Sequence, residues 1–349
     1  MIDHAPWAAR RRAALVFGAL LALAACRPAP RDWEPSFYYW RADFHLSPAE
    51  AAQLARPGLA RLYTRFFDLD YDAATARPQV RAPLRRLAAP GPGVEVVPVV
   101  YITSELFRRA DAAQRAGLPR AVASQVRLML HQAGLPPPAE LQLDHDWAGG
   151  TREAYFAFLR GLRAELPGVR LSATIRLHQL GRLERVGVPP VDAGVLMAYH
   201  SGDPARLSQV DSILDAAAAR AYLKALAAYP LTLDLALPAF HWVARFDAGG
   251  RLRGLQSLDA AALAGLPGLR RSGRLYGVTR PLRLGDWHLQ GGETLRVDAP
   301  DLATLGAVRD AAAAGLKPGR RRLILYPLDE GQLRALAQGP LEALDALYR

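Results

Sequence analysis

The sequence predicts an α/β chain folded as a (β/α)8, or TIM, barrel, on three observations. Short apolar runs rich in β-branched and aromatic residues alternate with longer Ala- and Leu-rich amphipathic stretches, the order that places helices over a parallel sheet. The runs number eight, as such a barrel requires. Polar and aromatic residues collect just past each run, and in a (β/α)8 barrel all of these positions share the C-terminal face, where active sites form.

The strand runs are 36–40, 60–67, 94–102, 140–146, 169–177, 193–199, 231–237 and 321–326. After the first, Ser47-Pro48-Ala49-Glu50 reads as a helix start, with a serine cap, proline in the first turn and glutamate placed to complete a capping box. Thr151-Arg152-Glu153 opens a stretch with apolar residues at helical spacing, which Pro167-Gly168 stops. A further helix is expected over 211–229. The stretch from about 240 to 295 fits the alternation least, because Gly249-Gly250, Pro267-Gly268 and Gly291-Gly292 break it into short β-like pieces. It reads as an elaborated insertion after the seventh strand, large enough for a small β-subdomain, followed by an extra strand at 293–297 and a helix at 303–315. With 51% hydrophobic residues, positions 36–349 can bury one large core.

The first 35 residues are read apart from the fold. Arg10, Arg11 and Arg12 precede an apolar run, 13–25, too short to span a bilayer comfortably, so 1–25 reads as a signal peptide. The chain's single cysteine, Cys26, follows at once, and Leu23-Ala24-Ala25-Cys26 resembles the lipobox of bacterial lipoproteins. That resemblance implies a lipid anchor on Cys26 and, because Arg27 rather than aspartate comes next, attachment to the outer membrane of the cell envelope. The alternative is an ordinary signal peptide cut near Ala25 beside an incidental cysteine. Residues 26–35 read as a proline-rich tether. Without 1–25 the formal charge is +9, carried by arginines against only two lysines, Lys224 and Lys317. No basic run interleaves with aromatics, so the charge reads as spread over helix faces and nucleic acid is not an expected partner.

The strand ends supply the candidate site residues: Tyr39 and Trp40, Asp70, Glu105, Asp144 to Trp147, Arg176 and His178, Tyr199 and His200, and Trp242. Alternation along the fifth strand sends Leu171, Ala173, Ile175 and Leu177 toward the helices and Ser172, Thr174, Arg176 and His178 into the barrel. The fourth strand does the same with Leu141 and Leu143 outward and Gln142, Asp144 and Asp146 inward, so His145 points away. Charged groups inside a barrel are costly unless paired or functional, which makes Arg176 a natural partner for Asp144 or Asp146. The alternative is an ion-pair network that only fixes the interior.

These residues resemble the family-18 glycoside hydrolases, the chitinase-like barrels. The family's strand-4 signature, Asp-x-x-Asp-x-Asp-x-Glu, aligns with Leu141, Asp144, Asp146 and Ala148, with Trp147 before the last position. Its strand-6 Met-x-Tyr matches Met197-Ala198-Tyr199, and its strand-7 Ala-Leu-Pro turn before an aromatic resembles Ala236-Leu237-Pro238-Ala239-Phe240. The resemblance implies Asp146 as the carboxylate that orients an N-acetyl group, Asp144 as its neighbour and Tyr199 as a hydrogen-bond donor. In the family the glutamate protonates the leaving oxygen; here the position holds Ala148, whose methyl group has no proton to give. A second, weaker resemblance, to bacterial envelope proteins with an Asp-x-Asp-Trp strand, implies no chemistry.

Three functions follow. A hydrolase would need a relocated acid, for which Glu105 and Asp70 are the candidates, with Asp146 as nucleophile or base and Arg176 and His178 beside it. Glu105 equally reads as a first-turn helix charge. A non-catalytic barrel would bind or scaffold a glycan on Trp40, Tyr39, Trp147 and Trp242, with His200 and Asp70 at the rim. A metal-dependent hydrolase or deacetylase would need a ligand set, and the sequence has neither His-x-His nor a helical His-x-x-x-His, so no metal and no cofactor is expected. The expected ligand is a glycan or polysaccharide.

Overall fold

The computed structural model describes residues 33–258, 260–319 and 321–349. Residues 1–25, read above as a signal peptide, Cys26 and the stretch read as a tether as far as residue 32 lie outside the described residues.

Eight parallel strands make the ring: β1 (Trp33–Tyr39), β2 (Arg61–Asp72), β3 (Glu95–Ile102), β4 (Glu140–His145), β5 (Arg170–Arg176), β6 (Ala193–Met197), β7 (Leu233–Pro238) and β8 (Arg321–Tyr326). They pair in chain order, and β1 pairs with both β2 and β8, which closes the barrel. β1 starts at Trp33, opposite Arg321, so residues 33–35 of the stretch read as tether belong to the barrel.

Alternation sorts the side chains as expected along most of each strand. Leu141, Leu143, Leu171, Ala173 and Ile175 pack into the core beneath the helices. A second, smaller cluster that includes Tyr38, Tyr63, Val97, Val195, Met197 and Ile324 fills the middle of the ring. At the N-terminal end of the ring the interior turns ionic. Arg322 donates to Asp234 Oδ2 at 2.9 Å, to the Tyr63 hydroxyl at 3.0 Å and to Glu140 Oε2 at 3.4 Å, while Ser172 donates to Glu140 Oε1 at 2.7 Å.

The outer layer departs from eight matched helices. Ser47 and Glu50 do form the capping box of helix Pro48–Leu54, and Asp111 and Gln114 form another for the long helix Ala112–Gln132. Between β2 and β3, however, the chain turns back as an antiparallel strand, Arg77–Arg81, on the end of β2. The helix expected over 211–229 begins only at Ala216 and ends at Leu223, with a separate 3-10 turn at Leu226–Ala228. Asp211 explains the late start: its Oδ1 accepts the N–H groups of Ile213 and Leu214, which folds that segment into a turn. Asp215 then caps the helix by accepting from Ala217 and Ala218.

The insertion after β7 is a β-structure with its own apolar cluster, around Val243, Tyr276, Val278, Leu295 and Val297. Its antiparallel sheet runs in the order Leu252–Gln256, Trp242–Phe246, Thr294–Asp298, Leu275–Val278, Leu269–Ser272, with a small hairpin at Leu282–Leu284 and Trp287–Leu289. The extra strand expected at 293–297 is thus the middle strand of this sheet. Helix Leu302–Gly315 then leads to β8.

Candidate functional site

The C-terminal ends of the strands surround a cavity of about 530 Å3. Arg65 and Asp68 reach it from β2, Tyr101 from β3, Asp144 from β4, Arg176 from β5 and Tyr326 from β8; Trp40, Tyr199 and His200 come from the residues that follow β1 and β6.

Asp144 is its buried carboxylate. The Thr174 hydroxyl donates to Oδ1 at 2.7 Å, and Arg176 Nη2 lies 3.5 Å from the same oxygen. Burial pushes this carboxyl above the usual range, against the pull of Arg176 and Thr174. The second carboxylate, Asp68, is held by Arg65 through two bonds, Nε to Oδ1 at 2.8 Å and Nη2 to Oδ2 at 2.6 Å. Tyrosines form much of the wall. The Tyr199 hydroxyl meets Met197 Sδ at 3.2 Å and bonds with the Arg176 guanidinium, and burial pushes the phenol far up. Burial, with Asp144 behind it, raises Tyr326 to about 12.

The rings touch in sequence. Trp40 meets Tyr326 edge-on at 5.6 Å, Tyr326 stacks on Tyr199 at 6.0 Å, and His200 stacks on Trp242 at 5.5 Å and 12°. Trp242, the first residue of the insertion's sheet, fixes its indole N–H on Asp298 Oδ2 at 3.0 Å. Burial, and then the Arg176 guanidinium, keeps the His200 ring below the ordinary imidazole range.

Of the residues expected from the sequence, Asp144, Arg176, Tyr199, His200 and Trp40 therefore come together around the cavity, with Trp242 stacked behind His200. The others lie elsewhere. β4 ends at His145, so Asp146 sits past the strand on an exposed loop and does not line the cavity. His178 is exposed for the same reason: β5 stops at Arg176 and the chain enters a 3-10 turn, which ends the alternation. Glu105 opens the short helix Ser104–Arg109 and is bound there by Arg108 and Arg109, Arg109 above all holding its carboxyl low. Asp70 accepts from the Thr103 hydroxyl at 2.6 Å and pairs with Arg81, outside the cavity lining.

Two expected aromatic platforms are core residues. Tyr39 is fully buried on the helix side, where its hydroxyl serves the backbone of Asp43 and His45. Trp147 is 1% exposed, packed on Tyr155, with its indole N–H on the Val186 carbonyl at 2.8 Å. His145 points outward as alternation requires. Its Nδ1 faces the Ile102 carbonyl at 2.8 Å and burial lowers the ring to about 4, so it is a neutral imidazole with the proton on Nδ1.

The sequence reading passed over Arg65, Asp68, Tyr101 and Tyr326 as site residues. A bulge explains Asp68, because the register of β2 against β3 shifts between Arg65 and Phe67, whereas Arg65 follows ordinary alternation from the inward Tyr63. Phe66 and Phe67 both go into the outer core, and Asp68 turns inward like Arg65. Two adjacent phenylalanines within an otherwise alternating run were the available signal. Among the described residues no three His, Cys, Asp or Glu side chains are grouped as a metal ion would need.

No protein-family model and no curated protein matches the sequence. Solved structures do match. A chitinase from Chromobacterium violaceum superposes with a TM-score of 0.55 at 14% identity, over 88% of this chain and 98% of that one. The C-terminal domain of a protein described as a chitinase in Desulfitobacterium hafniense gives 0.56 at 11% identity, over 91% and 100%. The fold is that of a chitinase-like (β/α)8 barrel. Ala148 is an exposed residue on the loop after β4.

Proposed function

We propose that the chain is an exported envelope protein, anchored to the outer membrane by a lipid on Cys26, whose barrel binds a glycan at its C-terminal face. One observation carries the binding reading: a cavity of about 530 Å3 whose walls are tyrosine, tryptophan and histidine rings around a hydrogen-bonding pair, Asp144 and Arg176. Flat rings pack against the C–H faces of a sugar, while a carboxylate and a guanidinium together accept from and donate to its hydroxyls. The chitinase-like fold agrees with this reading, and Ala148 argues against hydrolysis by the family's route. The anchor rests on the motif around Cys26 and on the placement of the only cysteine there.

A second reading, hydrolysis in the same cavity, is favoured by Asp144 itself. Burial raises its carboxyl, as a general acid requires, and Asp68 supplies a second carboxylate in the lining. A panel of oligosaccharides, scored for binding and for product release with the wild type and Asp144→Asn, separates the two. Binding without product from either protein supports the first reading. Product from the wild type that disappears in the variant supports the second, and no binding to any glycan sinks both. For the anchor, a radiolabelled or alkyne-tagged fatty acid should be incorporated by the wild type and not by Cys26→Ser.

A further inference from the structure

The insertion and the loop 200–215 meet through two ion pairs, Arg274 with Asp211 at 2.7 Å and the fully buried Arg296 with Asp298, and the second bonds Trp242 against the wall of the cavity. Arg296 and Asp298 are 1% and 0% exposed. They sit two residues apart on the strand Thr294–Asp298, hence on one face, and are joined by Nε to Oδ1 and Nη2 to Oδ2 bonds of 2.8 Å each. Their remaining bonds go to other segments. Arg296 donates from Nη1 to the Arg206 carbonyl and from Nη2 to the Pro204 carbonyl, the latter at 3.3 Å. Asp298 Oδ2 accepts from Trp242 Nε1 at 3.0 Å and from the Ser212 hydroxyl.

An ion pair this deeply buried is no better for stability than well-packed apolar residues; what it adds is direction. Here the direction is given to Trp242, whose ring lies flat against His200. His200 is held a second time through its backbone. Its φ of +54° is left-handed, strained for a residue with a Cβ, and its N–H donates to the Ile213 carbonyl at 2.6 Å, in the segment that Ser212 fastens to Asp298. The ring of a cavity-lining residue thus rests on the pair through Trp242, and its backbone shares that support with Asp211, which ties the same segment to Arg274 and Ala299.

We infer that Asp298, acting through Trp242, is a positioning residue for the His200 wall of the cavity. The effect on glycan affinity rests on the reading proposed above; the effect on His200 does not. The test follows the His200 ring protons by NMR through a pH titration in the wild type, Trp242→Phe and Asp298→Asn, alongside glycan affinity and melting temperature. In the wild type the ring titrates at about 4, lowered by burial and Arg176 and opposed by Asp146. Trp242→Phe keeps an aromatic ring but offers Asp298 no N–H. The midpoint is expected to rise toward the ordinary imidazole value of about 6.5. Glycan affinity is expected to fall about threefold to tenfold, the size of one aromatic contact. Asp298→Asn should move both readings the same way, and Trp242→Phe stands alone if that variant does not fold. A midpoint unchanged in Trp242→Phe overturns the inference, whether or not the protein binds a glycan. So does a lower melting temperature with wild-type midpoint and affinity, which would make the pair a structural clamp only. A shifted midpoint in a protein that binds no glycan sustains the positioning role and defeats the glycan reading instead.

Discussion

The two ends of the barrel hold the same kinds of groups in different surroundings, one closed within the protein and the other beside a cavity. At the N-terminal end, Arg322 is shared among Asp234, Glu140 and Tyr63, and Glu140 takes a further bond from Ser172. At the C-terminal end, Arg176 meets Asp144 at 3.5 Å and bonds with the Tyr199 hydroxyl, and its Nε is buried with no hydrogen-bond partner, as the Nε of Arg322 also is. The first arrangement shares its charges among partners inside the protein, with Arg322 Nε 3.4 Å from Glu34. The second lines a cavity of about 530 Å3, where the polar groups of a ligand could add bonds to Asp144 and Arg176.

The largest effect expected from this contrast is on stability. Arg322→Met strands two buried carboxylates and should lower the unfolding free energy by about 3–5 kcal/mol in a denaturant titration. Arg176→Met leaves one buried carboxylate, Asp144, still bonded by Thr174, and should lower it by less, about 1–3 kcal/mol, while weakening ligand binding. Equal losses in the two variants would break the comparison. Next comes pH. Burial, reinforced by Glu140, raises Asp234 to about 7, from 3.8 in an unfolded chain. Between those values the unfolded protein releases a proton that the folded one keeps, so stability should fall as pH rises from about 4 to 7. The slope should be no more than about 1.4 kcal/mol per pH unit, flattening above 7. Denaturant midpoints across that window check this, and Asp234→Asn should remove the slope. A smaller effect is expected at the cavity mouth, where Trp40→Ala should reduce glycan affinity about threefold to tenfold in calorimetry with little change in melting temperature. Smallest of all, Ala148→Glu, on an exposed loop, should alter stability by no more than about 0.5 kcal/mol, and a thermal melt of the variant sharpens how little that position supports the fold.

The ring of strands was legible because period-2 alternation and the spacing of apolar runs are properties of the backbone, and the chain follows them from Leu141 to Leu143 and from Leu171 to Ile175. The site was legible only as far as strands extend. Asp144, Arg176 and Tyr199 were placed correctly because they lie on strand residues or directly beside them. Asp146 and His178 were misplaced because alternation was carried past the last residue that obeys it. Trp147 and Tyr39 show a different limit: composition cannot tell an aromatic ring that faces a cavity from one that packs under a helix. Asp68 was hidden by a backbone irregularity, and the turn at 211–215 by a side chain that satisfies backbone N–H groups before a helix can claim them.

The arginine-rich composition has a consequence for how this protein stays apart from its neighbours. Closing the ring removes the barrel's own edges, but Arg77–Arg81 is appended at the open side of that sheet, and the insertion's sheet ends in Leu252–Gln256 and Leu269–Ser272. Each of these edge strands carries arginine: Arg77 and Arg81 flanking Pro78, Arg253, and the adjacent Arg270 and Arg271. A strand from another copy of the chain that approached to continue either sheet would bring the same charges edge to edge, and at Arg77–Arg81 it would also meet a proline that offers no N–H. The arginines that give the sequence its basic character thus also guard its exposed β edges against self-association.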